Sequence, residues 1–573
     1  MPLFFNGRLW ETPATMSLVD DSRMYNKNLS VGNVLAVIGR SEGGEPLKAL
    51  AFGSIPEARR ALRGGPLLQA IEKAFDPSSE TFGPSTVIGV RVNPATKSFA
   101  DLLTADGTPC ITLESTDYGL YTGAIRSKIE TGSLSGRKLT TQQGNGYFTA
   151  DNIERAAFTI QYSGAEATAT ITVTDSAVKL YAPSGSLAAD IDLTAFVTIQ
   201  EVVDRINSTS GFYATVGDRS AEKPALQGLD HVTDQDVKTA PFTVRADLQA
   251  VVDWFNSVQE GFITAKRCPN VGKPPAYTNW VGLTGGSDGN VTMAEWQSAY
   301  DALQSEDVQW VVPLSPAPAI HAMNDTHCAY MSNIARMERR GIVGMASGSS
   351  DDEAIEAVKA LNSDRTSLVH LGYYDYDARG RLQLQEPYML AATIAGAFSG
   401  VNPGTALTNK SLKIRGIERK LRNPTDTDKL IRGGVLCVED TTRRGYRVVK
   451  SITTWLNNNN YNRVEISVGV ALDFVSRNVR NAIDPLRGAK GNPTTMALTY
   501  SRTETTLIEL ARPEPSGPGV IVGDDLNPAY RNITVSLDGD VLRVEFECSP
   551  VIPINYIPVV IYAVPYSGQL MSV

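Results

Sequence analysis

Cysteine is scarce and scattered along this chain. Cys110, Cys268, Cys328, Cys437 and Cys548 form no CxxC pair. That excludes the usual zinc and thioredoxin spacings and points to free thiols made in a reducing compartment. HExxH and P-loop patterns are missing as well. No apolar run approaches the ~20 residues of a membrane-spanning helix. The start, Met1 to Glu11, lacks the basic region, long apolar core and small-residue cleavage site of a signal peptide, so no secretion signal is expected. A global positive charge is absent: 53 Lys and Arg stand against 62 Asp and Glu, a net charge of −9. A chain-wide nucleic-acid footprint is thereby excluded.

What is present is ordinary globular composition over 573 residues: 42% hydrophobic, 20% charged and 8% aromatic. Disorder, collagen and coiled coil are excluded as the main class, and about three to five domains of ~100–200 residues are predicted. The charge is uneven. Residues 410–490 hold 17 basic and 8 acidic side chains, a net +9 that leaves about −18 for the rest. Such a module either faces an acidic partner or is a solvated face that balances its neighbours.

Residues 1–30 carry no clear period and mix Phe4, Phe5 and Trp10 with turn formers, which reads as an extended arm. Val34–Ile38 and Val87–Val92 read as buried strands, with helices opening at Pro56 and Pro66. Residues 31–100 are therefore an α/β start. From 101 to 238 the texture turns to Thr, Ser and Gly with period-two alternation, as in Ala167–Thr174 and the return strand Ala177–Ala182. A helix at Ile199–Ile206 interrupts it. We read a mostly β insertion, acidic and suited to an outside face.

Over 239–390 the α/β rhythm resumes. Leu248, Val251, Val252, Phe255 and Val258 form one helix stripe. Thr292 to Glu295 is a capping box, and Val308–Val312 is a strand. Ile320, Met323, His327, Tyr330, Ile334 and Met337 form another stripe, with Gly341 as its stop. Strands at Ile342–Met345 and Ser367–Leu371 flank a helix over 352–361. These spacings predict a parallel sheet covered on both faces. In 391–548, after the small-residue helix Leu390–Phe398, Val435–Val438 and Tyr446–Trp455 read as strands. A long amphipathic helix runs from Val464 to Ile483, and a hairpin turns at Asp538-Gly539-Asp540. The tail, 549–573, is apolar and β-branched but broken by Pro553, Pro558 and Pro565, which permits an edge strand or an arm.

Catalytic signals are weak. Gly285-Gly286-Ser287-Asp288-Gly289 matches the G-x-S-x-G nucleophile elbow, yet an elbow needs a strand before it and a helix at once after it, and Asn290-Val291 and the capping box intervene. His321 and His327, six apart, sit on different helix faces and do not share a metal. Asp351-Asp352-Glu353 suits a helix start, where acidic side chains offset the dipole. Asp375 and Asp377, ahead of Arg379-Gly380-Arg381, suit a polar hairpin and are too few ligands for calcium. The expectation is no enzyme, no catalytic or metal-binding residue and no cofactor. The two apolar ends without a domain of their own point instead to strand addition between chains, and so to assembly.

Several stretches resemble the contractile-tail sheath subunits of myoviruses and tailocins. They are Val31–Gly39 with Phe52-Gly53-Ser54 and the helix around Leu67–Phe75, and the Leu283–Gly289 loop. The most specific are Gly400–Gly404, Ile431–Leu436 and Tyr446–Thr454. The resemblance implies an α/β multidomain fold: a subtilisin-like, non-catalytic core, a β insertion and arms at both ends. It implies hexameric rings stacked helically around an inner tail tube, with baseplate and tail terminator proteins as further partners, no direct nucleic acid and no membrane insertion. Contraction would drive the tube through the host envelope during genome delivery, and the protein would sit in the virion tail after assembly in the host cytoplasm. The inter-subunit arm residues would include Phe4, Phe5, Trp10, Ile554, Tyr556, Val559 and Ile561. Arg477, Arg480, Arg487 and Lys490 are the tube-facing candidates, with Asp473–Arg477 pairing inside the domain as the competing use of Arg477. Alternatives are a serine hydrolase with a β insertion or a surface-layer subunit.

Overall fold

Val34–Gly39, an apolar run without alternation, is a strand buried from Leu35 onward. In the computed structural model, which describes residues 3–5, 8–10, 34–257, 261–377, 380–441 and 444–566, it lies inside a six-stranded sheet. The strand order is Thr366–Val369, Arg340–Gly344, Trp310–Pro313, Val34–Gly39, Thr86–Arg91, Ala49–Phe52. Trp310 pairs with Arg340 and Gly341 with Thr366, both in parallel register. Strands buried on both faces read as apolar runs, and those expected at Val308–Val312, Ile342–Met345 and Ser367–Leu371 fall in this sheet, whereas Ala49–Phe52 carries no such mark in the sequence. Helices Pro318–Asn333, Asp351–Leu361 and Pro387–Ser399 pack on the sheet. The last is apolar all round and buried along nearly its whole length. Positions Val31–Asn33, most of the amino-terminal arm, Val258, Arg379 and the tail beyond Tyr566 lie outside the described residues.

The chain forms two compact units. The first comprises Met1–Val37, Glu72–Ile88 and Gln304–Val573, the second Ile38–Ile71 and Gly89–Leu303. The architecture is thus mixed α/β and multidomain.

The second unit is rich in antiparallel strands. Thr170–Val173 pairs with Ala177–Tyr181 in the register Thr170↔Tyr181, and Ile199–Asn207 is a helix capped by Thr198 and Glu201. Hydrophobic clusters among the described residues hold this unit together. One runs from Ala157 to Ala246 and includes Phe158, Ile171, Leu180 and Val202. Another joins Ile111 and Leu113 to Leu248, Val251 and Phe255.

In the first unit two expectations are corrected. The helix stripe reaching Met337 stops at Asn333, and Gly341, expected as the helix stop, lies in the strand Arg340–Gly344. The chain reverses through Arg336, whose φ is 62°. Gly341 is held by space: a Cβ there would meet Asn324 Nδ2 at 2.0 Å. The strands expected at Val435–Val438 and Tyr446–Trp455 form a short hairpin, Val438–Thr441 with Gly445–Val448. Beyond it Ile452 makes an isolated bridge to Glu465.

Candidate functional site

The carboxy-terminal module is built from helices Ile466–Ile483 and Pro493–Ala511 and the hairpin Tyr530–Asp538/Val541–Cys548. Ala471, Phe474, Val475 and Val479 of the first helix meet Leu507 and Leu510 of the second, with Val520 and Ile521. Tyr530, Ile533, Phe546 and Cys548 of the hairpin pack against this cluster: Phe546 and Cys548 alternate along one strand face, and the register shift between Arg531 and Thr534 brings Ile533 to the same side as Tyr530. The hairpin is a sheet of two strands, and no further described strand pairs with its outer edges.

Downstream of the hairpin the chain runs beside its own domain. Ser549 N donates to Ala529 O, and Val551 N to Val520 O at 3.0 Å. It then forms no regular structure, and every residue from Tyr556 to Tyr566 is exposed. Ile554, Tyr556, Val559 and Ile561 are 80%, 78%, 75% and 85% exposed. Phe4, Phe5 and Trp10 lie in Leu3–Phe5 and Arg8–Trp10, a small antiparallel pair in which Leu3 faces Trp10.

The basic residues of the long helix are placed differently from their sequence reading. Arg477 is not on a solvated side; it is buried, 6% exposed. Its Nη1 donates to Asp307 Oδ1 at 2.8 Å and its Nη2 to the Glu338 carbonyl at 3.0 Å. Arg480 is half-buried and pairs with the Glu338 carboxylate. Asp473, expected as the partner of Arg477, is engaged by two other arginines. It accepts from Arg340 Nε at 3.0 Å and from Arg365 Nη1 at 2.8 Å. Gly469 leaves room for this cluster, since a Cβ there would lie 2.2 Å from an Arg340 guanidinium nitrogen. Buried cations of this kind are costly without partners, so the partners decide where the helix docks. Arg487 and Lys490 are exposed; Arg487 pairs with Asp484, three residues back. No sequence signal singled out Asp307 or Glu338, because both lie more than 130 residues from Arg477.

The Gly285–Gly289 loop is not an elbow. Ser287 makes a bridge to Thr96, Thr96 N donating to Ser287 O at 2.9 Å, and the two hydroxyls are 3.0 Å apart. Asp288 accepts from Arg91 Nη2 at 3.1 Å. The next helix opens only at Met293, capped by Thr292 and Glu295. No histidine bonds Ser287 among the described residues. His321 is buried with Nε2 near the Ser315 and Gly344 carbonyls. Burial and the Arg339 charge push His327 down to about 3, so it is neutral and faces Arg339 Nη1 at 3.0 Å. Asp351 starts its helix and meets His370 Nε2 at 2.9 Å, with Arg419 beside it. Asp375 pairs with Lys73. No group of three or more His, Cys, Asp or Glu that could hold a metal occurs among the described residues, and no described helix is long and apolar enough to cross a membrane.

No protein-family model matches the chain. Individual proteins do. The tail sheath protein of Bacillus phage SP01 is 30% identical over 587 aligned positions, covering 99% of this chain and 98% of that one. A putative tail sheath protein of Enterococcus phage phiEF24C is 28% identical, with 98% of each chain covered. In fold the chain is similar to the crystal structure of a sheath tail protein from Desulfitobacterium hafniense. The TM-score is 0.56 at 13% identity, with 95% of this chain and 97% of the other covered.

Proposed function

The chain belongs to the tail sheath protein family, and from that premise we propose that it polymerises as stacked hexameric rings around an inner tail tube and contracts to drive the tube through the host envelope. The observation that carries this reading is the exposed apolar run Tyr556–Tyr566, which leaves its own domain beside a hairpin with open edges. An extended segment and an open edge each hold unpaired N–H and C=O groups, so each is a template for the other in a neighbouring subunit. The amino-terminal arm, with Phe4, Phe5 and Trp10, is the second donated segment.

Main-chain pairing of this kind keeps subunits connected while their faces slide, because it depends little on the side chains between domains. The energy of contraction is stored at assembly, so the reading needs no nucleotide, metal or catalytic residue. The tail sheath relatives support a structural role and lend nothing to the hydrolase alternative. The core, on this reading, is subtilisin-like in arrangement without its chemistry, and the acidic β-rich insertion faces outward. The basic module faces an acidic tube. With Arg477 and Arg480 held inside the domain, the tube contact falls to Arg487 and Lys490. Exposed ion pairs are worth ~0–1 kcal/mol each, which suits a contact that releases on contraction. Baseplate and terminator proteins cap the two ends, and assembly takes place in the host cytoplasm.

The test is negative-stain microscopy of the purified protein with and without residues 557–573. Long rods or hollow tubes from the full chain, and folded subunits without rods from the truncated one, are expected. Rods of full length from the truncated protein would remove the arm from the reading.

A further inference from the structure

The carboxy-terminal tail leaves its domain at one residue. Val551, Pro553 and Asn555 are half-buried while Ile552, Ile554 and Tyr556 are exposed, the alternation of an extended chain lying on a surface. After Asn555 no described residue turns inward. Asn555 meets Glu465, which is 2% exposed and stands at the start of helix Ile466–Ile483. Asn555 Nδ2 donates to Glu465 Oε2 at 3.3 Å. The two remaining polar atoms of this pair, Glu465 Oε1 and Asn555 Oδ1, are both buried and both without a partner.

An ionised carboxylate only accepts hydrogen bonds, and so does an amide oxygen. With Glu465 charged, both partners of this one contact therefore hold an orphaned acceptor, an arrangement native interiors avoid. A single proton on Oε1 resolves both, since the resulting O–H donates to Asn555 Oδ1 while Nδ2 continues to donate to Oε2. We propose that Glu465 is protonated in the free subunit and latches the carboxy-terminal tail to its own domain through a two-bond acid–amide pair with Asn555, and that ionisation loosens this latch. Its role in assembly rests on the reading of the tail as a donated arm: the latch sets the point from which the arm departs.

Two further observations agree. Glu465 sits where a carboxylate ordinarily caps helix amides, yet its side chain makes no capping bond and is turned to the tail instead. Burial raises its carboxyl to about 7, against the opposing pull of Lys450 and the Asn555 hydrogen bond. Lys450 is the charged group acting on it from the segment before Ile452. On the tail the neighbouring titratable side chain is Tyr556, whose ring lies 5.8 Å from the Lys450 ammonium.

The experiment uses the full-length soluble subunit and chymotrypsin. Cleavage after Tyr556 requires the stretch just before it, Pro553 to Asn555, to leave the surface and enter the protease cleft, whereas the chain around Tyr562 is exposed in either state. The ratio of the two cleavage rates cancels the pH profile of the protease. Between pH 6 and 8 the ratio should rise about ten-fold in the wild type, the change in ionised fraction across two pH units centred near 7. Glu465→Gln, whose amide can donate to Asn555 Oδ1 and accept from Nδ2, should hold the ratio low at both pH values. Asn555→Leu should hold it high at both. Infrared spectra of protein labelled with carbon-13 glutamate should show a protonated carboxyl band that fades as pH rises through 7 and is lost in Glu465→Gln. A flat wild-type ratio, a Glu465→Gln profile equal to wild type, or pH dependence retained in Asn555→Leu would each overturn the latch. Rod formation is scored separately, so a failure of the arm reading leaves the cleavage and infrared results to decide the latch by themselves.

Discussion

Arg477 donates from Nη2 to the backbone carbonyl of Glu338, 3.0 Å away, and so ties the long carboxy-terminal helix to the segment leading into the strand Arg340–Gly344. The Glu338 carboxylate, 7% exposed, lies 3.6 Å from Arg477 Nε and also pairs with Arg480. One acidic side chain thus holds two arginines, and the buried one belongs to the interior of the unit.

Reversing these charges should therefore have unequal effects. Arg477→Glu places a third carboxylate against Glu338 and Asp307 in a buried site, and breaking a buried pair costs ~3–5 kcal/mol. We expect a melting temperature lowered by several degrees, or insoluble protein. Arg487→Glu, fully at the surface, should change stability by no more than ~0.5 kcal/mol while weakening co-assembly with purified tail tubes. Thermal melts and tube co-sedimentation at low and raised salt read the two effects separately. Unchanged tube binding in an Arg487→Glu, Lys490→Glu double variant would move the contact elsewhere.

Ser287→Ala removes one hydroxyl–hydroxyl bond to Thr96 at an exposed loop. A stability loss of ~1 kcal/mol or less is expected, together with unchanged rod formation and no change in esterase or peptidase screens. Loss of a measurable hydrolytic activity of the wild-type protein in this variant would revive the hydrolase reading.

Two tail truncations should separate anchoring from donation. Removing 557–573 spares Asn555, the last inward-facing position among the described residues, so circular dichroism and melting temperature should match the full chain while rods are lost. Cutting from Pro550 onward also removes the Val551–Val520 backbone bond and Asn555, and should lower the melting temperature as well. Equal melting temperatures for the two truncations would show that 550–556 contributes nothing to the domain.

Glu465 gives a stability prediction with a definite sign. Its folded value near 7 lies above the ordinary 4.5, so the folded state binds this proton more tightly than the unfolded chain does. Its contribution is most favourable below about pH 4.5, declines as pH rises from there to about 7 and is level above. The full span is up to about 3 kcal/mol. Chemical denaturation of wild type and Glu465→Gln at pH 5 and pH 8 should show the wild type losing stability relative to the variant at the higher pH. A difference that does not change with pH would contradict the shifted carboxyl.

A deletion tests where the insertion ends. Cutting 101–238 would strip Ile111 and Leu113 from the cluster they share with Leu248, Val251 and Phe255. The cluster that closes on itself runs from Ala157 to Ala246, and its ends meet, Ala246 N donating to Arg155 O at 2.9 Å. Replacing 156–245 with a short Gly/Ser linker should leave a folded subunit that still forms rods. Helix Asp247–Ser257 loses the amide contacts of Asp230 in the process, a cap worth ~1 kcal/mol. A folded product that forms no sheath would argue against an outward, dispensable insertion.

Much of this was legible in the amino-acid order because it is locally encoded. Apolar runs at Val34–Ile38 and Val308–Val312 mark the strands found at Val34–Gly39 and Trp310–Pro313, Thr292 and Glu295 mark a helix start, and the Asp538-Gly539-Asp540 turn marks the hairpin. The exposed apolar tail was readable for the same reason: β-branched residues interrupted by proline cannot join a central strand. Other features depend on partners far away in the chain. The stripe from Ile320 to Met337 looks like one helix until the strand at Arg340 claims its end. Arg477 looks solvated until Asp307 and Glu338 arrive beside it, and Asp473 looks like its partner until Arg340 and Arg365 take that carboxylate. The Ala157–Ala246 core has no boundary in composition, because its limits are set by which side chains touch. Glu465 and Asn555, 90 residues apart, carry no mark in the sequence at all. A periodic pattern reports which face of an element is apolar, whereas the desolvation of a charge is decided only when a distant element closes over it.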